Sequence, residues 1–274
     1  MEQKVISIIG PSGGVGKSTI AKELAIAYAN TLIDGKPLSV CVIDANAGIG
    51  AQQALFKLAP KYFLEDWLED LFEKVQSLGF KESLEVYDWD FIEKYLSYSE
   101  EHKLFVLPTS LEWYIRNEKE PGRVPSKVFN ILILALRRYF DIILIDTGNN
   151  MSMLTMSAIA LSDRTVLLLN DEKRCLTAIG RLKQVLREQR IPFDNFTAVL
   201  NQYPEKKSDQ IYSLDELNQV LLDIKITHIL NWDKRVWAFN NVNDAIILHP
   251  GSSRLKSQLS KLAKYLLPEF NELP

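Results

Sequence analysis

Residues 8–19 read IIGPSGGVGKST, and this stretch decides the fold class of the 274-residue chain. The apolar run KVISII leads into it and a helical pattern follows it, so a buried strand, a glycine-rich turn and the start of a helix come in that order. The backbone N–H groups of such a turn point inward, and the helix dipole favours negative charge there. The stretch therefore predicts a phosphate-binding loop, although Pro11 stands where the usual pattern has a glycine.

Two side chains of this loop carry its predicted chemistry. Lys17 is expected to reach the β and γ phosphates of a nucleotide, and the Ser18 hydroxyl is expected to bind Mg²⁺. The glycines permit backbone angles and a close approach to phosphate that side chains would block. The alternative is a glycine-rich turn with a chance lysine. The predicted nucleotide-binding residues of the loop are Ser12, Gly13, Gly14, Val15, Gly16, Lys17, Ser18 and Thr19.

The composition is that of a globular protein with a substantial core, since 47% of the residues are hydrophobic, 24% are charged and the net charge is −3. The chain as a whole is therefore not a polycation that seeks nucleic acid, although a local basic patch stays open. Two cysteines and three histidines allow neither a disulfide framework nor a zinc spacing. The apolar surroundings of Cys41 predict a buried free thiol.

The N-terminal segment and the hydropathy of the sequence bear on the cellular location of the protein. The N-terminus does not resemble a signal peptide. No apolar run reaches the roughly 18 residues that a membrane span requires. We therefore expect a cytoplasmic protein, with peripheral attachment to a membrane or to the nucleoid left open.

Apolar runs alternate with helical patterns along the rest of the chain. This alternation predicts an α/β fold, with a doubly wound, mostly parallel sheet flanked by helices, as in P-loop NTPases. We expect residues 1–274 to form a single domain, and the helix after the loop to extend to Gly35. Residues 60–102 are rich in acids and aromatics, and they are predicted to form two or three helices that cover the edge of the sheet.

Two aspartates end apolar strands elsewhere in the chain. Asp44 ends VCVID and Asp146 ends IILID. In a doubly wound sheet the ligand lies outside the carboxyl ends of the strands, so both side chains are expected near the phosphates. Asp146 is the candidate to hold Mg²⁺ together with Ser18, and Asp44 is a candidate catalytic residue. The alternative for each is a capping aspartate.

With these residues in place, the chain resembles the MinD/ParA family of deviant P-loop ATPases over nearly its whole length. SGGVGKST is similar to the first motif of the family, VIDANAG to the second and YFDIILIDTGNN to the third. ALSDRTVLLLND and AVLNQY resemble the segments that follow. The resemblance implies that Asn201 contacts the adenine, and that Asn241 and Asn243 occupy a turn before the last helix.

The resemblance also implies a mode of action. Members of the family bind ATP and Mg²⁺ between two subunits that face each other. The dimer binds a surface such as a membrane or nucleoid DNA, and a partner protein stimulates hydrolysis. Such proteins position or recruit larger cellular assemblies. The resemblance therefore implies a homodimer across ATP and a stimulating or cargo protein as partner.

Two departures from the family pattern bear on hydrolysis. The signature lysine that crosses the dimer interface falls on Ser12, and Lys173 or Arg174 is a candidate replacement. Asn46 stands where the family commonly has an aspartate that orients the attacking water. An amide can hold a water molecule but cannot take up its proton, so hydrolysis is predicted to be slow or absent. Lys17, Asp44 and Asn46 are the predicted catalytic residues.

Three functions remain open from the sequence. The first is an ATP-dependent homodimeric switch with weak hydrolysis that positions or recruits a larger assembly. The second is a non-hydrolysing scaffold of a secretion, pilus or polysaccharide-export assembly, with nucleotide as a structural ligand. The third is a metabolic P-loop enzyme, although no set of catalytic residues for a second substrate stands out.

Three further features allow two interpretations each. The leucines of the last helix are expected to pack in the core, with a membrane-surface helix as the alternative. Trp67, Trp89 and Trp113 are expected in the core, with a partner-binding surface as the alternative. A basic cluster is expected to be ordinary surface charge, with a DNA-binding face as the alternative, and its members are Lys234, Arg235, Arg254 and Lys256.

Overall fold

A computed structural model of the protein describes residues 3–46, 50–79, 87–110, 126–149, 151–242, 244–251 and 253–268. The strands are β1 (Lys4–Ile9), β2 (Leu32–Ile33), β3 (Lys36–Pro37), β4 (Val40–Ala45), β5 (Ser97–Ser99), β6 (Leu104–Leu107), β7 (Ile142–Thr147), β8 (Arg164–Leu169), β9 (Phe196–Tyr203) and β10 (Ile226–Asn231). The helices are α1 (Lys17–Ala29), α2 (Ala51–Leu55), α3 (Leu64–Leu78), α4 (Trp89–Glu93), α5 (Ser126–Leu136), α6 (Met153–Leu161), α7 (Lys173–Glu188), α8 (Leu214–Leu221), α9 (Arg235–Val242) and α10 (Arg254–Leu266).

The main sheet has eight strands in the order β10-β9-β8-β1-β7-β4-β6-β5. Every neighbouring pair is parallel except β5 and β6, which are antiparallel at one edge. The first strand therefore lies in the middle, and later strands are added on both sides of it. This doubly wound order confirms the predicted α/β fold class, and it places the end of β1 at a switch point of the sheet.

The strands are apolar on both faces because each face carries its own hydrophobic core. Successive strand residues point to opposite sides. Ile6 and Ile8 pack in one core with residues of α1, α7 and α10, whereas Val5, Cys41 and Ile43 pack in the other with residues of α3 and α5. Cys41 is a buried free thiol, as predicted. The organisation of the whole chain as one domain stays a prediction.

Helix α1 is shorter than the sequence predicted. It ends at Ala29, and the chain then reverses through the hairpin of β2 and β3. The Thr31 hydroxyl donates to the Ala27 carbonyl at 2.8 Å, which satisfies the acceptor that the Thr31 backbone N–H would use if the helix continued. Gly35, with φ +73°, belongs to the hairpin turn and not to the end of the helix.

The acidic and aromatic segment contains α3 and α4, but it also contributes the edge strand β5, which the sequence did not predict. Helix α3 packs on α5 and β4 at one face of the sheet, and the edge itself is formed by the strand β5 of this segment rather than by a helix. Trp67 is fully buried and stacks on Tyr95, with ring centroids 5.2 Å apart. Trp89 is half-buried against Phe105. Trp113 lies outside the described residues.

The last part of the chain differs from the prediction at one point. Helix α9 was not predicted, and Asn241 lies within it, so its expected place in a turn was wrong. Asn243 lies outside the described residues. The apolar face of α10 is buried in the core, which confirms the first interpretation of that helix, and its members are Leu255, Leu259, Leu262 and Leu266. Among the described helices, none combines the length and the apolar character needed to cross a membrane.

Candidate nucleotide-binding site

The loop between β1 and α1 has the backbone of an anion site. Gly14 and Gly16 have φ values of +78° and +93°, the left-handed region that favours glycine. A Cβ atom at Gly16 would collide with the side-chain amide of Asn201. Gly16 is the N-cap of α1 and no described side chain caps this end, so the first backbone N–H groups of the helix face the loop. The local sequence therefore builds a helix terminus that is open to a phosphate.

Lys17 is buried beneath the loop, with 6% of its surface exposed. Its Nζ donates to the Asn149 Oδ1 at 2.8 Å and to the Ser12 carbonyl at 3.3 Å. Burial lowers the pKa of Lys17, and the negative charge of Asp146 opposes that shift. A phosphate oxygen within reach of Nζ would relieve this cost of burial. Asn149 was not predicted, and its only sequence signal is its position after β7 in TGNN.

Asp44 and Asp146 lie side by side at the ends of β4 and β7, where the sheet register pairs them directly. Both are fully buried. Gln52 of α2 joins them, because its backbone N–H donates to Asp44 at 2.9 Å and its Nε2 donates to Asp146 at 2.8 Å. The same Nε2 lies 3.1 Å from the Ser18 carbonyl. Gln52 was not predicted, since the fold alone brings α2 to the strand ends.

The pKa values of Asp44 and Asp146 are both raised. Burial raises the pKa of Asp44, and the adjacent Asp146 raises it further. Burial also raises the pKa of Asp146, although the contacts of Ser18 and Gln52 and the charge of Lys17 oppose the shift. Two neighbouring buried carboxylates repel each other unless a proton or a cation lies between or beside them.

The donors at this point fit a magnesium ion. Asp146 Oδ1 is buried and accepts no hydrogen bond from the described residues, so one carboxylate oxygen is available. The Ser18 hydroxyl lies beside this carboxylate, as its effect on the Asp146 pKa indicates. Mg²⁺ in nucleotide sites takes one or two carboxylates, with phosphate oxygens and water. Ser18 and Asp146 match that set.

A cavity of about 550 Å³ extends from the loop toward the far end of the sheet. Asn46 lines its phosphate end, and the Asn46 backbone N–H donates to Asp44 at 3.2 Å. Asn201 lines it further on, where its Nδ2 donates to the Val15 carbonyl at 2.8 Å. The amide nitrogen of Asn201 is thus bonded to the loop, and the predicted adenine contact stays a prediction.

Ser12 and Arg174 are the remaining predicted residues, and both lie at the loop. The Ser12 hydroxyl neighbours the buried Cys175 thiol, whose pKa burial raises. The Arg174 guanidinium is the nearest group to the open side of Gly14, at 3.4 Å from the place a Cβ would take. Its side chain is 63% exposed and pairs with Glu172. The structure therefore brings Arg174 to the loop.

A β1-loop-α1 unit with a buried lysine and paired strand-end carboxylates is typical of the P-loop NTPase fold of the α/β class. A family model described as an AAA domain matches residues 3–194, which is well over half of the chain. The chain belongs to this family, and it has the fold of solved MinD and ParA proteins, as the resemblance implied. A comparison with curated proteins finds no match.

Solved structures share the fold over almost the whole chain. The septum site-determining protein MinD of Pyrococcus horikoshii, complexed with Mg-ADP, is 19% identical with a TM-score of 0.71, and the match covers 97% of this chain and 96% of that chain. The ParA family ATPase of Chlorobium tepidum is 17% identical with a TM-score of 0.76, covering 96% and 100%. MinD in the MinC:MinD complex of Aquifex aeolicus is 19% identical with a TM-score of 0.73, covering 99% and 98%.

Proposed function

We propose that the protein binds ATP with Mg²⁺ at this site and acts as a slow nucleotide switch. In this proposal, ATP joins two copies of the chain, hydrolysis is weak, and the dimer positions or recruits a larger assembly. The observation that carries the proposal is the pairing of Asp44 with Asp146 at the strand ends beside the buried Lys17. This arrangement suits a polyphosphate and a cation better than any neutral ligand.

Phosphate binding rests on the loop and on Lys17. The N–H groups at the start of α1 and around Gly14 and Gly16 offer hydrogen bonds to phosphate oxygens. Lys17 would leave the neutral acceptors Ser12 and Asn149 for a charged phosphate, and charge-assisted hydrogen bonds are the stronger kind. Lys17 is then the group that holds the terminal phosphates.

The carboxylates serve the cation side of the site. Ser18 and Asp146 would hold Mg²⁺, which would neutralise the buried negative charge and bridge to the phosphates. Gln52 keeps both carboxylates in place through its backbone and side-chain donors. Asp44 accepts the Asn46 N–H, so its role is to orient the segment that carries Asn46 toward the cavity.

Slow turnover follows from Asn46. Its side-chain amide can position a water molecule for attack, but it cannot accept the proton that the attacking water loses. Phosphoryl transfer depends mainly on positioning and on charge stabilisation, so some hydrolysis survives. The same residue favours the alternative of a non-hydrolysing scaffold, in which ATP is a structural ligand.

Arg174 is proposed to supply the positive charge that Ser12 does not. It lies at the open side of Gly14, next to where terminal phosphate oxygens would come. Lys173 precedes it on α7 and is also exposed, but no contact joins Lys173 to the described part of the loop. The exposed position of Arg174 fits a charge that either its own nucleotide or that of a facing copy could use.

The partner is proposed to be a protein of the assembly. The Aquifex aeolicus relative was solved with MinC, which supports a protein partner for this chain. A DNA surface has weaker support, because three of the four cations of the predicted basic cluster already have acceptors. Arg235 pairs with Asp233, Arg254 with Glu205, and Lys256 donates to the His249 carbonyl.

The experiment that tests the proposal measures ATP turnover and oligomeric state together, with and without Mg²⁺. ATP-dependent dimers with slow turnover are expected. Dimers indifferent to nucleotide would favour the scaffold, and substrate-dependent turnover by a monomer would favour a metabolic enzyme.

The Asn46→Asp variant tests the cause of slow turnover. Because a carboxylate can accept the proton, we expect its kcat to rise about tenfold or more. The matched control is Asn30→Asp, which lies far from the strand ends at the end of α1 and should leave kcat unchanged. An Asn46→Asp enzyme no faster than wild type would contradict the assigned role.

A further inference from the structure

The side chain of Gln52 carries a buried acceptor for which the described residues supply no donor. Gln52 belongs to α2 and is fully buried. Its Nε2 donates to the Asp146 Oδ2 at 2.8 Å and to the Ser18 carbonyl at 3.1 Å. Its Oε1 accepts no hydrogen bond from the described residues. Because buried polar atoms in folded proteins are almost always paired, this oxygen calls for a donor from outside the chain.

The amide of Gln52 can take only one orientation. The two ends of a glutamine amide have the same shape, and they differ in that the nitrogen donates while the oxygen accepts. A half-turn of the amide would place Oε1 against the Ser18 carbonyl, which has no hydrogen to donate. The nitrogen therefore faces Asp146 and Ser18, and the oxygen is the atom left without a donor.

Asp146 carries a second unpaired acceptor next to this one. Its Oδ1 is buried and accepts no hydrogen bond from the described residues. Since one hydrogen bond joins Gln52 Nε2 to Asp146 Oδ2, both unpaired oxygens belong to a single amide–carboxylate pair. Mg²⁺ in a nucleotide site keeps several of its water molecules, and each of them is a donor. A metal-bound water can thus supply what Gln52 Oε1 lacks, beside the carboxylate that suits the ion.

Gln52 also connects the elements that surround this point. Its backbone N–H donates to the Asp44 Oδ2 at 2.9 Å, and the other oxygen of that carboxylate accepts the Asn46 N–H at 3.2 Å. Its side chain reaches the start of α1 at Ser18 and the end of β7 at Asp146. A shift of Gln52 would therefore displace both carboxylates and the segment that carries Asn46.

We propose that Gln52 is a positioning residue for the cation, whose Oε1 accepts a hydrogen bond from a water molecule bound to Mg²⁺ while its two N–H donors hold Asp44 and Asp146. This inference rests on the proposed binding of nucleotide with Mg²⁺, and it adds the group that orients the water of the ion. Residues that bond to the groups around a metal ion fix the geometry of those groups and raise the affinity for the ion.

The test measures the affinity for a non-hydrolysable ATP analogue with saturating Mg²⁺ and again with a chelator. The ratio of the two affinities is the gain that Mg²⁺ supplies. Gln52→Met keeps the length of the side chain and removes both polar atoms, so we expect it to lower this gain about tenfold or more and to leave the affinity in chelator unchanged.

The neighbouring glutamine of α2 provides the matched control. Gln53 is half-buried, and its side chain donates to neither Asp44 nor Asp146 among the described contacts. Gln53→Met makes the same chemical change one residue away and should keep the gain of wild type. An equal loss of the gain in Gln53→Met and Gln52→Met would overturn the proposal.

Gln52→Glu separates the oxygen of the amide from its amino group. Glutamate keeps an acceptor for the water and loses the donor to Asp146, so the gain from Mg²⁺ should be at least that of wild type. A loss as large as in Gln52→Met would show that only the donor matters, and would refute the role of Oε1. If thermal unfolding shows that Gln52→Met does not fold, this variant decides the question by itself.

The outcomes separate the inference from the function on which it rests. If wild type does not bind the analogue, or gains nothing from Mg²⁺, the proposed function fails. If wild type gains affinity and Gln52→Met gains as much, only the positioning role fails. If Gln52→Met binds the analogue more weakly by the same factor with and without Mg²⁺, Gln52 supports the fold alone and the positioning role is likewise refuted.

Discussion

The two ends of the cavity are built in opposite ways. At the phosphate end, the carboxylates, Gln52 and Lys17 are buried and joined by short hydrogen bonds at the ends of parallel strands. At the far end, the exposed Trp232 and Trp237 and a helix without buried residues stand over an aliphatic wall. A pre-organised charge site thus adjoins an exposed, largely apolar site. In the proposed function, the first end holds the phosphates and the cation, and the second end lies on the side of the cavity away from them.

The largest effect is expected at Lys17, at the phosphate end of the cavity. Lys17→Ala should weaken ATP affinity about a hundredfold, because charged hydrogen bonds to the terminal phosphates are lost. The fold should survive, since the change also removes a costly buried charge. Isothermal titration with ATP and Mg²⁺ measures the effect, and Lys36→Ala in the exposed hairpin is the matched control. Equal affinities for both variants would show that the loop is not the phosphate site.

The folded conformation of the phosphate loop depends on one glycine, Gly16. Gly16→Ala should lower the free energy of unfolding by about 2 kcal/mol, because alanine at φ +93° is strained and its Cβ meets Asn201. Gly180→Ala in α7 is the control, since a Cβ there meets open space and should stabilise the helix by about 0.5–1 kcal/mol. Urea unfolding compares the two. A loss at Gly180 as large as that at Gly16 would argue against a specific strain.

The buried carboxylates predict a pH dependence of the metal-free protein. The folded state keeps protons on Asp44 and Asp146 at pH values where unfolded aspartates have lost them. The unfolded state then binds fewer protons, so stability falls as the pH rises from about 4 through the neutral range. Asp44→Asn should flatten this slope by up to about 1.4 kcal/mol per pH unit.

Urea unfolding at several pH values without Mg²⁺ measures the slope. Asp34→Asn, in the exposed turn between β2 and β3, serves as the control and should keep the slope of wild type. A slope unchanged in Asp44→Asn would mean that the pair titrates outside this range.

The smallest effect is expected at Arg174, which lies beside Gly14 of the phosphate loop. Arg174→Ala should weaken ATP affinity about threefold at low salt and less at high salt, because an exposed charge is well screened. Arg181→Ala on the same helix is the matched control, and titration at two salt concentrations is the measurement. A salt-independent loss, or an equal loss in Arg181→Ala, would remove Arg174 from the site.

The phosphate end of the cavity was largely predictable because its signals are local in the sequence. Neighbouring residues are enough to recognise a glycine-rich turn between an apolar run and a helical pattern. The same holds for aspartates at the ends of apolar runs. The partners of these groups were not predictable. Gln52 and Asn149 carry no motif, and they reach the site because α2 and the end of β7 are placed there by the sheet order.

The far end of the cavity escaped prediction for a related reason. Residues 232–242 lack a long helical apolar pattern, since the tryptophans are exposed and Val236 and Phe239 are only partly buried against the core. The edge strand β5 was missed because it is short and pairs antiparallel with a strand found only through the fold. Such elements depend on distant partners, which periodicity does not report.

The amino-acid sequence by itself determined the α/β class, the phosphate loop and the strand-end carboxylates, because apolar runs, glycines and charges act within a few residues of one another. Tertiary structure alone decided that Asp44 and Asp146 share one register position, that Gln52 joins them, and that Arg174 reaches the loop while α9 contacts the start of α1. These contacts form between segments far apart in the chain. Their geometry is set by the order of the strands and by the packing of the helices on the sheet.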